Sequence, residues 1–139
     1  MDDENIAHKT IVIAEDNPAL AEIYQIRLSG IGYRCIIATD GEQALQLVES
    51  ENPTLLLLDM MMPKIAGDEV LRRMRESEWG KKTRVFIISN LNESDAPSGL
   101  RQYGIEGYAV KANLKDDDID KLVDKILTPT GQKEGIDLV

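Results

Sequence analysis

Hydrophobic positions along the chain follow two spacings that take turns. Residues 10–14 (TIVIA), 33–38 (YRCIIA), 54–58 (TLLLL), 83–89 (TRVFIIS) and 107–110 (GYAV) are short apolar runs without polar alternation. Such runs predict strands that are covered on both faces. Between them the apolar residues fall at helical intervals. Leu20, Ile23, Tyr24, Leu28 and Ile31 mark a first helix. Asn17-Pro18 supplies its cap and first turn, and Gly30 and Gly32 stop it. Asp40 caps a second helix over 41–49, with Ala44, Leu47 and Val48 facing in. A third, over 67–76, carries Val70, Leu71 and Met74. A fourth is expected over 94–103, with Pro97 and Gly99 near its start. Ile119, Leu122, Val123 and Ile126 form the stripe of a fifth. The run Asp116, Asp117, Asp118 stands at its first turn, where the helix dipole favours negative charge.

The order is therefore βαβαβαβαβα. It predicts an α/β fold with a parallel sheet, helices on both faces and right-handed crossovers. For five strands the expected arrangement is the flavodoxin-like (βα)5 doubly wound sheet with strand order 2-1-3-4-5. Its functional crevice lies beyond the carboxyl ends of strands 1 and 3.

Length and charge narrow the choices. The 139 residues fit one domain, read as a leader over 1–8, a folded body over 9–127 and a tail over 128–139. The net charge of −9 disfavours direct contact with nucleic acid. One cysteine, Cys35, and one histidine, His8, exclude an internal disulfide framework and a Cys/His zinc site. Cys35, inside strand 2, reads as a small core residue. No apolar stretch approaches the length of a membrane span and the N-terminus does not read as a signal peptide, so a cytoplasmic protein is expected.

If the crevice carries the chemistry, the residues just after each strand are the ones to inspect. Strand 1 runs into Glu15 and Asp16, strand 3 into Asp59, strand 4 ends at Ser89 and strand 5 at Lys111. Clustered carboxylates repel one another unless a cation compensates. Mg²⁺ suits the role, because it takes oxygen ligands, keeps several waters and is completed by a phosphate. Lys111 can pair with a carboxylate or a phosphate oxygen, and Ser89 can donate a hydrogen bond to the same group. Taken singly, each residue has an ordinary structural use, such as capping the next helix. Their joint placement at four strand ends points to phosphoryl chemistry.

At this point the sequence resembles the receiver domain of two-component response regulators, of the single-domain, chemotaxis-regulator-like kind. The resemblance covers residues 9–127. It rests on Glu15-Asp16, on Asp59-Met60-Met61-Met62-Pro63 with Gly67 four positions on, on Ser89, and on Tyr108-Ala109-Val110-Lys111. It implies that Asp59 accepts a phosphoryl group from a histidine kinase or a histidine phosphotransfer protein. It implies Mg²⁺ held by Glu15, Asp16, Asp59 and the backbone carbonyl of Met61. Lys111 would stabilise the transferring group, Ser89 would turn toward the new phosphate, and Tyr108 would move inward behind it. The face of helix 4, strand 5 and helix 5 would change and control binding of a downstream protein, as a monomer or a phosphorylation-promoted dimer. The chain would be a signalling phosphoacceptor, not an enzyme acting on a separate substrate.

Several positions depart from the family pattern. Ala112 follows Lys111 where proline in a cis bond is usual, which leaves a trans bond or a costly non-proline cis bond. Asn90 follows Ser89 where a small residue is usual. Met61 and Leu91 are apolar and cannot orient an attacking water, which predicts slow self-dephosphorylation. Met61 also stands where an aspartate-nucleophile phosphatase needs its general acid. A flavodoxin needs a Ser/Thr/Gly-rich phosphate loop after strand 1, and a nucleotide-binding P-loop needs glycines and lysine; neither is present. The alternative function is a degenerate receiver that binds proteins without phosphorylation, which Ala112 and Asn90 favour.

Overall fold

The computed structural model describes residues 9–128. The expected leader over 1–8, and all but the first residue of the expected tail, lie outside the described residues. Five strands, β1 (Thr10–Ala14), β2 (Arg34–Ala38), β3 (Leu55–Leu58), β4 (Arg84–Ser89) and β5 (Gly107–Val110), form one sheet in the order β2-β1-β3-β4-β5. All four pairings are parallel, with Ile13 opposite Ile37 and Leu57, and Ile87 opposite Tyr108. This is the topology expected from the alternation of runs.

Four α-helices cover the sheet: α1 (Pro18–Gly30), α2 (Gly41–Glu51), α3 (Gly67–Arg75) and α4 (Asp118–Leu127). Val12, Ala14, Leu56 and Leu58 pack with Ala44 and Val48 of α2 and Val70, Leu71 and Met74 of α3. Ile11, Ile13, Leu55 and Leu57 pack with Tyr24 and Leu28 of α1 and Ile119, Leu122, Val123 and Ile126 of α4. Strand residues of both parities are thus buried, which is why the leucine run shows no alternation.

Local signals set the helix ends. The Asn17 side-chain oxygen accepts from the amides of Ala19 and Leu20 at 3.0 and 3.2 Å, ahead of Pro18. Asp40 accepts from the Gln43 amide at 2.8 Å. Helix α2 runs two residues past the expected end, to Glu51, and Asn52 closes it in a left-handed conformation. Helix α4 begins at Asp118, whose carboxylate accepts from the Lys115 amide at 2.7 Å. Its far end is held by Lys9 and Arg84, which donate to the carbonyls of Leu127 and Ile126.

The expected helix over 94–103 is corrected. Two 3₁₀ turns, Glu93–Asp95 and Leu100–Tyr103, stand there instead. Proline lacks an amide hydrogen and drives the residue before it out of the α region. Ala96, before Pro97, is accordingly extended, with ψ 163°. Gly99 then takes φ +86°, which only glycine adopts readily. Arg75 of α3 fastens the segment by donating to the carbonyls of Tyr103, Gly80 and Gly104.

Cys35 is half-buried on the edge strand rather than sealed in the core. Met60 and Met62 are buried and Met61 is exposed. Among the described residues no helix is long and apolar enough to cross a membrane.

Candidate functional site

The carboxyl edge of β1 and β3 delivers the acidic residues. The Glu15 amide donates to the Ala38 carbonyl and the Asp59 amide to the Ala14 carbonyl, so both residues prolong the strand ladder by one position. The two residues are 3% and 4% exposed, whereas Asp16 is exposed to solvent. One carboxylate oxygen from each of Glu15, Asp16 and Asp59 lies within 4.8 Å of the others.

Lys111, just past β5, crosses to this cluster. Its ammonium is 2.7 Å from Glu15 Oε1 and 2.7 Å from Asp59 Oδ2. The remaining oxygens meet backbone donors: Asn17 N–H donates to Glu15 Oε2 at 3.0 Å and Met61 N–H to Asp59 Oδ1 at 3.1 Å. Burial pushes the Glu15 carboxyl up, against the lowering effect of Lys111 and the Asn17 amide. Burial pulls the Lys111 ammonium down, but its hydrogen bonds and charge contacts with Asp59 and Glu15 outweigh this, and the net direction is up.

Three carboxylates and one ammonium leave two negative charges uncompensated, which one divalent cation would cancel. The donor set is all oxygen, partly open on the Asp16 side, and fits a hard cation that keeps waters.

The close approach of the next loop depends on Gly67. A Cβ there would stand 2.3 Å from the Asp59 carbonyl oxygen and 2.7 Å from Met60 Cα, both backbone atoms. The glycine four positions after Pro63 therefore lets α3 begin directly against the aspartate. Its amide donates to the Met60 carbonyl at 2.9 Å.

Ser89 is fully buried at the end of β4. Its oxygen accepts from Leu91 N–H at 3.2 Å, and its hydroxyl also hydrogen-bonds the Tyr108 phenol. Tyr108 donates from its hydroxyl to the Leu91 carbonyl at 2.8 Å, and its ring has no exposure. Burial, first, pushes its phenol pKa up. Asn90 is exposed. All peptide bonds among the described residues are trans, so Lys111–Ala112 is trans and opens a 3₁₀ turn, Lys111–Asn113.

The structure thus brings together Glu15, Asp16, Asp59 and Lys111, with Ser89 and Tyr108 gripping one neighbouring residue, Leu91. Sequence reasoning missed Tyr24. Helical spacing marked it as a core position, but its phenol feels the charges of Glu15, Lys111 and Asp59. It lines an open pocket of about 240 Å³ beside Lys111 and Leu114.

The model of the response regulator receiver domain family matches residues 11–125, and the chain belongs to that family. It is 38% identical over 104 residues to the alkaline phosphatase synthesis transcriptional regulatory protein PhoP of Bacillus subtilis, covering 75% of this chain and 42% of PhoP. The chain spans about two fifths of the length of the curated relatives it matches. Among solved structures it resembles the response regulator TrrA of Thermotoga maritima, in complex with Mg²⁺–BeF. The identity there is 29% and the TM-score 0.73, over 86% of this chain and 99% of that one. It also resembles the receiver domain of the sensor histidine kinase PA1611 of Pseudomonas aeruginosa, which has a magnesium ion in its active site cleft. Identity is 25% and TM-score 0.69, over 84% and 94% of the two chains.

Proposed function

We propose that this receiver domain is a phosphoacceptor, and that Asp59 takes a phosphoryl group from a histidine kinase or a histidine phosphotransfer protein. The observation that carries the reading is the Lys111 ammonium set between Glu15 and Asp59 at 2.7 Å from each, at the carboxyl edge of the sheet. An Asp59 oxygen attacks phosphorus in line, a P–O bond forms, the P–N bond of the donor histidine breaks, and the imidazole leaves with the electron pair. Met61 N–H and Lys111 orient the carboxylate, and Lys111 meets the charge that spreads over the transferring oxygens. Glu15, Asp16, Asp59 and the Met61 carbonyl would hold Mg²⁺, which supplies further positive charge opposite those oxygens. Ser89 offers its hydroxyl proton to the product.

The test is the intact mass after incubation with acetyl phosphate, with and without Mg²⁺, beside Asp59→Asn. The expected result is a Mg²⁺-dependent gain of one phosphoryl group that the variant lacks. No gain from acetyl phosphate or from a phosphorylated histidine kinase would overturn the reading.

Downstream, the segment that begins at Leu91 is the part through which Asp59 would act on a protein target, because Ser89 and Tyr108 both bind Leu91. A second reading, a module that docks partners without phosphorylation, draws support from Asn90 and Ala112, which depart from the family pattern beside Ser89 and Lys111. Equal affinity of the Asp59→Asn variant and the phosphorylated protein for a given target would favour it.

A further inference from the structure

Four methionines lie among the described residues, and the fold treats them unequally. Met60, Met62 and Met74 are 4%, 8% and 0% exposed and pack into the cluster between the sheet, α2 and α3. Met61 is 57% exposed. It is also the methionine tied to the reacting group, because its N–H donates to Asp59 Oδ1 at 3.1 Å. The loop that carries it is held on both sides. Gly67 N–H donates to the Met60 carbonyl at 2.9 Å, and Gly41 N–H to the Pro63 carbonyl at 3.1 Å. Met61 therefore stands beside Asp59 and open to solvent, while the sulfurs on either side of it belong to the core. A thioether is apolar, and two-electron oxidants convert it to a polar sulfoxide.

We propose that Met61 is an oxidation site whose state sets the lifetime of a phosphoryl group on Asp59; the inference rests on the phosphoacceptor reading above. The oxidant is a hydroperoxide. With hydrogen peroxide, a sulfur lone pair attacks one peroxide oxygen, the S–O bond forms and the O–O bond breaks. The proton of the transferred oxygen passes to the departing hydroxide, which leaves as water. Sulfur is oxidised by two electrons and the peroxide is reduced by two. The product carries an oxygen that accepts hydrogen bonds. Hydrolysis of an acyl phosphate needs a water set in line with the breaking P–O bond, and the thioether offers that water no acceptor. The sulfoxide, on the residue whose N–H already holds Asp59, supplies one. The oxidised chain thus loses its phosphoryl group sooner, and reduction of the sulfoxide resets it. Burial confines the chemistry to Met61. A sulfoxide at Met60 or Met62 would put a polar oxygen into the core, which is costly without a partner.

The test treats the full chain with a limited dose of hydrogen peroxide. Peptide fragment masses are expected to show one added oxygen on Met61 before any on Met60, Met62 or Met74. Treated and untreated chains are then phosphorylated with acetyl phosphate and Mg²⁺, freed of the donor, and followed by intact mass as the phosphoryl group is lost. Oxidation is expected to shorten the half-life about fivefold, the effect of one ordinary hydrogen bond made in the transition state. Methionine sulfoxide reductases should restore the longer half-life. In Met61→Leu, which keeps an apolar side chain and has no sulfur, peroxide should leave the half-life where it was. Oxygen appearing on Met60 or Met62 as fast as on Met61, an unchanged half-life once Met61 is oxidised, or the same shortening in Met61→Leu would overturn the inference while leaving the phosphoacceptor reading intact. An untreated chain that takes up no phosphoryl group would overturn both.

Discussion

Replacing Lys111 by methionine removes one positive charge and little volume. The side chain is 12% exposed, and its partners Glu15 and Asp59 are 3% and 5% exposed, so the charges are poorly hydrated. At 2.7 Å and an effective dielectric of about 20, each contact has a gross attraction of about 6 kcal/mol. Most of that offsets the cost of taking the charges out of water. Removing one partner of a buried pair typically destabilises by about 3–5 kcal/mol, because the other charge stays behind unpaired. We therefore expect a loss of about 3 kcal/mol near neutral pH, measured by urea unfolding with far-ultraviolet circular dichroism.

Two further readouts separate this cause from a mere packing defect. Burial already pushes the Glu15 carboxyl up, and Lys111 is the strongest opposing influence. Without the ammonium that carboxyl rises further. A carboxyl whose folded pKa exceeds its unfolded value costs stability above the folded pKa, and the cost disappears as pH falls through it. The deficit of the variant should accordingly shrink as pH falls from neutral toward the ordinary carboxyl range. Mg²⁺ should also restore charge balance, and a hundredfold excess over its Kd adds about 2.7 kcal/mol to any state that binds it. The variant should gain more from Mg²⁺ than the wild type, which already has its ammonium in place. A deficit under about 1 kcal/mol, or one that ignores both pH and Mg²⁺, would refute the electrostatic account.

Gly67→Ala should cost about 3 kcal/mol or more, because the new methyl meets backbone at 2.3 Å, and should slow phosphorylation of Asp59 by acetyl phosphate; unfolding and mass kinetics check it together. Self-dephosphorylation should be slow, since Met61 and Leu91 cannot orient water, and a phosphoryl half-life of seconds by mass or phosphorus NMR would contradict this. Glu69 is held down to about 2 by hydrogen bonds from Arg72 and Arg73, so its carboxyl carbon should titrate well below that of an unpaired glutamate. The associated contribution is present above the unfolded pKa and lost as pH falls through the folded one. Asn17→Ala removes the cap of α1 and should lower stability by about 1 kcal/mol in urea titrations, with Asn17→Asp close to neutral.

The sheet and the acidic site were legible because they depend on strong, local signals. A four-leucine run that ends in an aspartate has few readings other than a doubly covered strand with its polar residue at the carboxyl edge. The strand order then brings Glu15, Asp59 and Lys111 together with no further information. Residues 94–103 were harder, because Leu100 and Tyr103 do point inward as a helix would have them. Pro97 and Gly99 act on the backbone itself, and two such residues within three positions outweigh a weak apolar pattern. Periodicity placed Tyr24 and Tyr108 inside correctly. It carries no information on where a hydroxyl at the far end of a ring emerges, and that of Tyr108 reaches the Leu91 carbonyl.

The donors around the site show why the resting ion pair prepares for phosphoryl transfer instead of obstructing it. The amides of Asn17, Met61 and Leu91 are each taken by a side chain, Glu15, Asp59 and Ser89 respectively. None of these three is left to cradle an anion in the manner of a glycine-rich loop. An ammonium has three donors, however, and Lys111 uses two of them on Glu15 and Asp59. Ser89 accepts from Leu91 and hydrogen-bonds the Tyr108 phenol, so its proton serves a phosphoryl group only once it turns. A third N–H of Lys111 therefore stands beside a carboxylate that Met61 N–H already orients, and the O–H of Ser89 would join it by turning from Tyr108. Two donors are few for a dianionic group, and the shortfall is what a divalent cation at Glu15 and Asp16 would make up. Affinity for a phosphoryl mimic should on this reasoning collapse without Mg²⁺ and fall only in part in Ser89→Ala. Beryllofluoride binding that persists after chelation of divalent cations would show that donors other than these hold the group.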